Sequence, residues 1–500
     1  MTRSRSVAPP PPPTSAPGLA PAPAMAASEA DLLAIRRVRS RMVEKYRPLV
    51  DRDPAPIRVQ ARMVREVVEE ARQAGIAPAV IEREVVNRTI GDVNVRLITE
   101  QVGGVDYSTI GEDLGLILPG ERINGRISDG RTYLALRERM MHFERVLLED
   151  YGFDVRIYDI YAVGNPLLRQ RLADRFRRLY GIPITGAQTY VTIGALDALD
   201  KSLRTLNLYF RRKYGPRKRV GFAFPAPGFA VCRWQAHSYD MEVINFQTPE
   251  ADGFKLTPAT LTRLLKRHPN LHILYLTISN NPTAFAYSPE EITALYAALA
   301  ASGQEVVVLA DLAYIGTGLP AEDAARMAAF NTPAALDQTL FINSLSKTHT
   351  LTGDRMGWVG FTNPRWAEAD VLPAAWNNAN AGMPAEWQLR YLANIDLLED
   401  QPAIDVKIRA LYALRRRALR YELEQADGQF GLFDTIGLDD DTTIYNWSKL
   451  RADQDALSLF EKTGIAGVDG RAFGYSEQYI RFSVGFTPVR PEILHALGIR

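Results

Sequence analysis

The sequence predicts an α/β protein: a three-layer sandwich built on a mainly parallel sheet, with a smaller α+β domain beside it. Three observations carry this reading. Between residues 189 and 342, short continuous apolar runs alternate with helical stretches, the pattern of strands buried on both faces. One of those helices carries its own punctuation, with Ser288 as N-cap, Pro289 at the first helical position, Glu291 closing a capping box and Gly303 as the stop. The last third changes character, to a long Arg-rich amphipathic stretch followed by two strand-like runs.

The elements follow in chain order. Residues 1–28 are Pro/Ala-rich, with Pro9 to Pro13 in a row. Such a composition builds no core, so disorder is expected there. It also lacks the apolar h-region of a secretory signal. Residues 29 to about 90 read as helices. Leu32, Leu33, Ile35, Val38, Met42 and Val43 recur at roughly helical spacing, and the stretch from Ile57 to Ala74 does the same. From 31 to 90 there are 13 Arg/Lys against 9 Asp/Glu, the balance of a solvated helix face. Thr189 to Ile193 reads as a strand, followed by a helix from about Ala195 to Leu208. Further buried strands are expected at Val220 to Phe224, Ile273 to Ser279, Val306 to Ala310 and Leu340 to Ile342. Ile404 to Gln425 reads as a long amphipathic helix, with strands at Thr442 to Trp447 and Tyr479 to Val484. The expected division is a tail at 1–28, a helical extension plus part of the small domain at 29–154, a large domain at 155–385 and the rest of the small domain at 386–500.

Bulk properties narrow the function classes. The 500 residues are 46% hydrophobic and 23% charged, with a net charge of +1. That balance favours neither nucleic acid nor an anionic membrane. Cys232 is the one cysteine, so an internal disulfide and a cysteine metal cluster are excluded, and a reducing cytoplasm fits. No run of about 20 apolar residues suggests a membrane span. His268 and His272 have metal-like spacing, but Pro269 follows the first and no nearby Glu or Cys completes a set, so no metal is expected.

The chemistry gathers at strand ends, where ligands collect on parallel sheets. Ser344-Leu345-Ser346-Lys347 begins where a strand stops, with Arg355 eight residues on. A lysine there can form an imine with an aldehyde, and two hydroxyls with an arginine suit a phosphate dianion. Asp311 follows directly on the strand Val306 to Ala310, with Tyr314 three residues later. A carboxylate at the end of a buried strand needs a partner, and a protonated pyridine nitrogen is one. Asn281-Pro282-Thr283 lies just past another strand, where an amide or the Tyr314 hydroxyl can donate to a phenolate oxygen. Gly194-Ala195-Leu196 opens a helix whose free N–H groups suit a phosphate.

In order, the chain shows TIGALDAL, PAPGF, NNPT, DLAY, SLSKTHTLTGDRMGW and YIRFS. From about 155 to 490 this resembles the fold-type I pyridoxal-phosphate (PLP) enzymes, specifically the class I/II aminotransferase family, with its aspartate-aminotransferase-like fold. The resemblance implies that Lys347 carries the cofactor as a Schiff base and moves the proton. It implies that Asp311 pairs with the pyridinium nitrogen, and that Asn281 and Tyr314 hold the phenolate oxygen. Ser344, Ser346, Arg355 and the amides of Ala195 and Leu196 would bind the phosphate, Phe229 would stack on the ring, and Arg481 would grip the substrate α-carboxylate. The family's homodimers lend a tyrosine to the neighbour's phosphate. Tyr161 or Tyr158 would serve, with Tyr161 preferred.

Three departures stand out: Ala284 replaces the usual glycine after Asn-Pro-Thr, the N-terminal extension is long, and the substrate-gating segment, placed near Ile123-Asn124-Gly125, is hard to locate. No Arg or Lys occurs between 370 and 389, which argues against a dedicated dicarboxylate substrate. The expected reaction moves an amino group between an amino acid and a 2-oxo acid. Decarboxylation, elimination and oxidation remain open on the same cofactor. A transcription regulator with an aminotransferase-like sensor would need a helix-turn-helix and a linker, and neither is seen before residue 155.

Overall fold

The structure is a computed structural model that describes residues 28–51, 56–157, 162–368, 370–380, 382–437 and 443–499. The segment expected to be disordered lies outside the described residues, apart from Ser28. That serine caps α1 (Glu29–Val50), its side chain accepting from the Asp31 amide. Two further helices follow, α2 (Pro56–Gln73) and α3 (Pro78–Glu84). Ile35, Val38, Met42 and Val43 turn inward and meet Val59, Met63 and Val67, while Leu33 faces solvent. The helical expectation to residue 90 therefore stops short. After Glu84 the chain extends, and Val86–Asn87 pairs in parallel with Ile465–Ala466. Leu457 and Phe460 complete the core of these helices, so the extension is packed on the C-terminal part of the chain.

Two helices, α4 (Arg131–Tyr151) and α5 (Pro166–Tyr180), precede the main sheet. Its strands are β1 (Thr189–Ile193), β2 (Gly221–Ala226), β3 (Glu242–Gln247), β4 (Leu271–Thr277), β5 (Val307–Asp311), β6 (Thr339–Ser344) and β7 (Met356–Gly360). They lie in the order β1-β7-β6-β5-β4-β2-β3. Every neighbouring pair is parallel except the two that involve β7. The strands alternate strictly between two cores. Phe222, Ile273, Val307 and Leu340 face one, with Leu199, Leu203 and Phe210 of α6 (Gly194–Tyr214). Ala223, Leu274, Val308 and Phe341 face the other, with Leu172 and Phe176 of α5 and Leu295 of α7 (Pro289–Ser302). Side chains on a strand point alternately up and down, so a sheet covered on both faces must read as a continuous apolar run. The capping box at Ser288 and Glu291 and the stop at Gly303 are formed as expected.

The C-terminal part contains α8 (Ala385–Asp400), α9 (Ala403–Phe430) and an antiparallel sheet. Its strands β8 (Phe433–Thr435), β9 (Tyr445–Leu450), β10 (Val468–Asp469) and β11 (Tyr479–Ser483) lie in the order β8-β9-β11-β10. The strand expected at Thr442 to Trp447 is β9, shifted toward the C-terminus, and residues 438–442 lie outside the described residues. Two buried ion pairs fasten the stretch after α3 to α9. Arg88 reaches Glu422 at 2.6 Å, and Arg415 clasps both oxygens of Glu100. The helix register places Arg415 and Glu422 seven residues apart, on one face.

Candidate active site

The parallel strands all end on the same edge of the sheet. Because β7 runs the other way, its first residue reaches that edge, and Arg355 immediately precedes it. Chain segments as distant as 195 and 355 therefore meet. They line a cavity of about 170 Å³ with Ala195, Leu196, Phe229, Tyr275, Thr277, Asn281, Asp311, Tyr314, Ser344, Ser346, Lys347 and Arg355. Ten of the residues singled out above line this one cavity.

Asp311 ends β5, fully within the fold. Its Oδ2 accepts from the Tyr275 hydroxyl at 2.6 Å and its Oδ1 from the Ala313 amide at 3.0 Å. Burial pushes its pKa above the usual carboxylate range, against the pull of those two donors. No cation pairs with it among the described residues. Lys347 Nζ donates to the Gly91 carbonyl. Burial, opposed by Tyr445 and Asp92, holds its amine below the ordinary lysine range. That shift favours the neutral, nucleophilic form.

Asn281 donates through Nδ2 to the Tyr314 hydroxyl at 3.2 Å and accepts through Oδ1 from Arg481 at 2.9 Å. The other arm of Arg481 donates to the Thr89 carbonyl at 2.8 Å. Gly194 opens α6 at φ +77, and a Cβ there would stand 2.6 Å from Arg355 Nη2, so a bare backbone lets the guanidinium approach the helix start. Arg355 itself is left-handed at φ 54, as is Ala284 at φ 66 where the family pattern has glycine. Ala284 thus adopts the backbone that glycine would have adopted freely.

Beneath the lysine loop lies a charged cluster. His349 Nε2 stands 2.9 Å from Asp405 Oδ1, and Arg175 lies 3.1 Å from the same carboxylate. Burial would raise the Asp405 pKa, but His349 and Arg175 bring it down to about 2.

The segment Ile123–Gly125 forms the tip of a small hairpin, with Asn124 donating to the Ile98 carbonyl at 2.6 Å, and it does not line the cavity. Tyr158 and Tyr161 lie outside the described residues. His272 is stacked between Phe210 and Tyr214, and Cys232 is buried. Among the described residues, no group of His, Cys, Asp or Glu is arranged to hold a metal ion. Gly91, Tyr275, Thr277 and Tyr445 belong to the site but carried no signal in the sequence. Tyr275 had one available hint, since a tyrosine inside a buried strand needs a partner for its hydroxyl.

The donor set fits PLP. A buried acid without a cation suits a pyridinium, a buried amine suits an aldehyde, and the buried Thr277 hydroxyl lacks a partner. A family model described as aminotransferase class I and II matches residues 160–496. The chain belongs to this family. It is a PLP-dependent aminotransferase. An asparagine–oxo-acid transaminase of Streptococcus mutans is 24% identical over 320 residues, covering 63% of this chain and 76% of that protein. An aspartate/prephenate aminotransferase of Cereibacter sphaeroides is 26% identical over 337 residues, with the same two coverages. The solved aspartate aminotransferase of Thermotoga maritima covers 87% of this chain and 94% of its own, with a TM-score of 0.61 and 18% identity. At that identity the likeness shows the fold of the aminotransferase and not its substrate.

Proposed function

We propose that this aminotransferase holds PLP covalently on Lys347 and moves an amino group between an amino acid and a 2-oxo acid. The convergence of Lys347, Asp311 and Arg355 from three adjacent strand ends on one cavity carries the reading. When bound, the cofactor supplies an electron sink for the substrate α-carbon. The protein's part is to bind, orient and move the proton. Lys347, with its amine held toward the neutral form, is the residue that would hold the cofactor's aldehyde carbon and would carry the proton to and from the substrate carbon. Asp311, with both oxygens already fixed by Tyr275 and Ala313, would pair with the pyridine nitrogen. Asn281 and Tyr314 hold the ring oxygen. Ser344, Ser346, Arg355 and the amides of Ala195 and Leu196 hold the phosphate. Phe229 covers the ring, and Arg481 takes the α-carboxylate through its planar fork.

The same reading makes the protein a cytoplasmic homodimer in which Tyr161 or Tyr158 reaches the partner's phosphate. No helix among the described residues is long and apolar enough to cross a membrane. The test is spectroscopic. Purified protein is expected to absorb near the visible edge, borohydride should fix the band, and Lys347→Ala should remove it. A wild type that binds no PLP sinks the proposal. Adding amino acids one by one should bleach the band, and a 2-oxo acid should restore it. Stoichiometric release of ammonia, carbon dioxide or peroxide instead would overturn transamination.

A further inference from the structure

Tyr445, the first residue of β9, has no place in the roles above, yet its side chain meets the site on three sides. Its hydroxyl lies 3.1 Å from the Tyr314 hydroxyl, and the two rings meet edge to face. The Arg481 guanidinium lies over its ring, 4.3 Å from the centroid. The backbone of Gly91 presses so close that a Cβ there would overlap the Tyr445 oxygen. Tyr445 is buried, 3% exposed. The hydroxyl meets Tyr314 and Gly91, while the ring face meets Arg481.

We infer that Tyr445 is a positioning residue with two separable actions: its hydroxyl orients the Tyr314 proton, and its ring fixes the plane of Arg481. The inference rests on the roles proposed for Tyr314 and Arg481. A phenol has one proton to give and can accept two bonds. Tyr314 already accepts the Asn281 amide at 3.2 Å. For Tyr314 to donate toward the ring oxygen of the cofactor, the proton between the two phenols must come from Tyr445. The chain Tyr445 to Tyr314 to ring oxygen is then unidirectional, and each bond polarises the next. Burial, then the adjacent Tyr445, keeps Tyr314 well above the ordinary phenol range, so it enters the chain as a donor.

The second action concerns Arg481. Its two arms are fixed by Asn281 and the Thr89 carbonyl, but Nε has no partner. A planar cation held only at its tips can tilt. The Tyr445 face on one side and Phe473, 5.0 Å away, are what hold it flat. A flat fork is what a carboxylate needs for a bidentate contact.

The experiment uses the holoenzyme and two variants. Tyr445→Phe keeps the ring and removes the hydroxyl. Tyr445→Met fills similar space without a π face. The visible band is titrated with pH, KM and kcat are measured, and the thermal midpoint of the cofactor-free protein serves as the control for folding. A weaker donor at the ring oxygen leaves more electron density on the lysine-bound nitrogen, which then keeps its proton to higher pH. Tyr445→Phe should therefore raise the titration midpoint by about 0.5 pH unit and change KM less than about twofold. Tyr445→Met should in addition raise KM for the amino acid roughly tenfold, the scale of a desolvated cation–π contact. A Tyr445→Phe midpoint equal to wild type overturns the first action, and an unchanged KM in Tyr445→Met overturns the second. A Tyr445→Met protein too unstable to assay, with a normal Tyr445→Phe, assigns the ring to the fold and also overturns the second. Failure of the underlying reading looks different, since wild type would then show no visible band at all.

Discussion

Replacing Glu100 with Gln is expected to destabilise the protein by about 3 kcal/mol, and replacing both Glu100 and Arg415 is expected to cost less than the two single replacements summed. Both side chains are 0% exposed. Arg415 donates from Nε at 2.5 Å and from Nη2 at 3.1 Å to the two Glu100 oxygens, and from Nη1 to the Gly485 carbonyl at 2.6 Å. Glu100 also accepts the amides of Thr99 and Val489. Glu100→Gln removes the one negative charge facing a buried guanidinium. Breaking such a pair from one side costs roughly 3–5 kcal/mol, and the retained amide oxygen favours the low end. Removing both charges leaves no unpaired ion, although the Thr99 and Val489 amides and the Gly485 carbonyl each lose a partner, so Glu100→Leu with Arg415→Met should cost less than the sum of the two single replacements. Urea unfolding curves with a common slope give the differences. Costs of the singles that simply add in the double variant would refute the reasoning, because the pair would then contribute nothing as a pair.

Four shorter expectations follow from the site. Tyr275→Phe removes the donor that holds Asp311 toward its charged form, so the acid limb of the kcat/KM profile should move to higher pH, and a limb that stays put counts against the assignment. Asp405 is depressed to about 2, below the usual carboxylate value of about 3.9, so its contribution is full above about pH 4 and is lost as pH falls toward 2. At about 1.4 kcal/mol per unit this amounts to roughly 2 kcal/mol, so the stability gap between wild type and Asp405→Asn should close over that window, and a constant gap contradicts the linkage. Gly194→Ala places a Cβ against Arg355 and strains a left-handed backbone, for roughly 1–2 kcal/mol plus weaker cofactor retention on dialysis, and normal retention would show that Arg355 has room to spare. The Tyr445 variants should separate the absorbance titration from KM.

The large sheet was legible because burial on both faces leaves an unmistakable record. A run such as Val306 to Ala310 has no polar side chain, and the first polar residues beyond such runs stand on one edge of the sheet. That is why Asn281, Asp311, Ser344 and Lys347 stood out, and why the fold brings them together. The elements that resisted reading lie where neighbours along the chain do not decide structure. Gly91 approaches Lys347 only because Arg88 and Glu100 are fastened to a helix more than 300 residues away. Tyr445 reaches Tyr314 across 131 residues, and nothing near Tyr445 in sequence reports that contact. The helix expected to run to residue 90 ends at Glu84 because Val86 and Asn87 find a strand partner at Ile465 and Ala466, and local periodicity cannot report a distant edge.

The bare backbone at Gly91 has a consequence for how this enzyme could be varied. With no side chain there, the chain that crosses above Lys347 sits flush against a phenol, and a single methyl would act as a wedge between them. The wedge would stand off the very carbonyl that meets the Lys347 amine, so the roof over the reactive nitrogen would lift without any change to the floor.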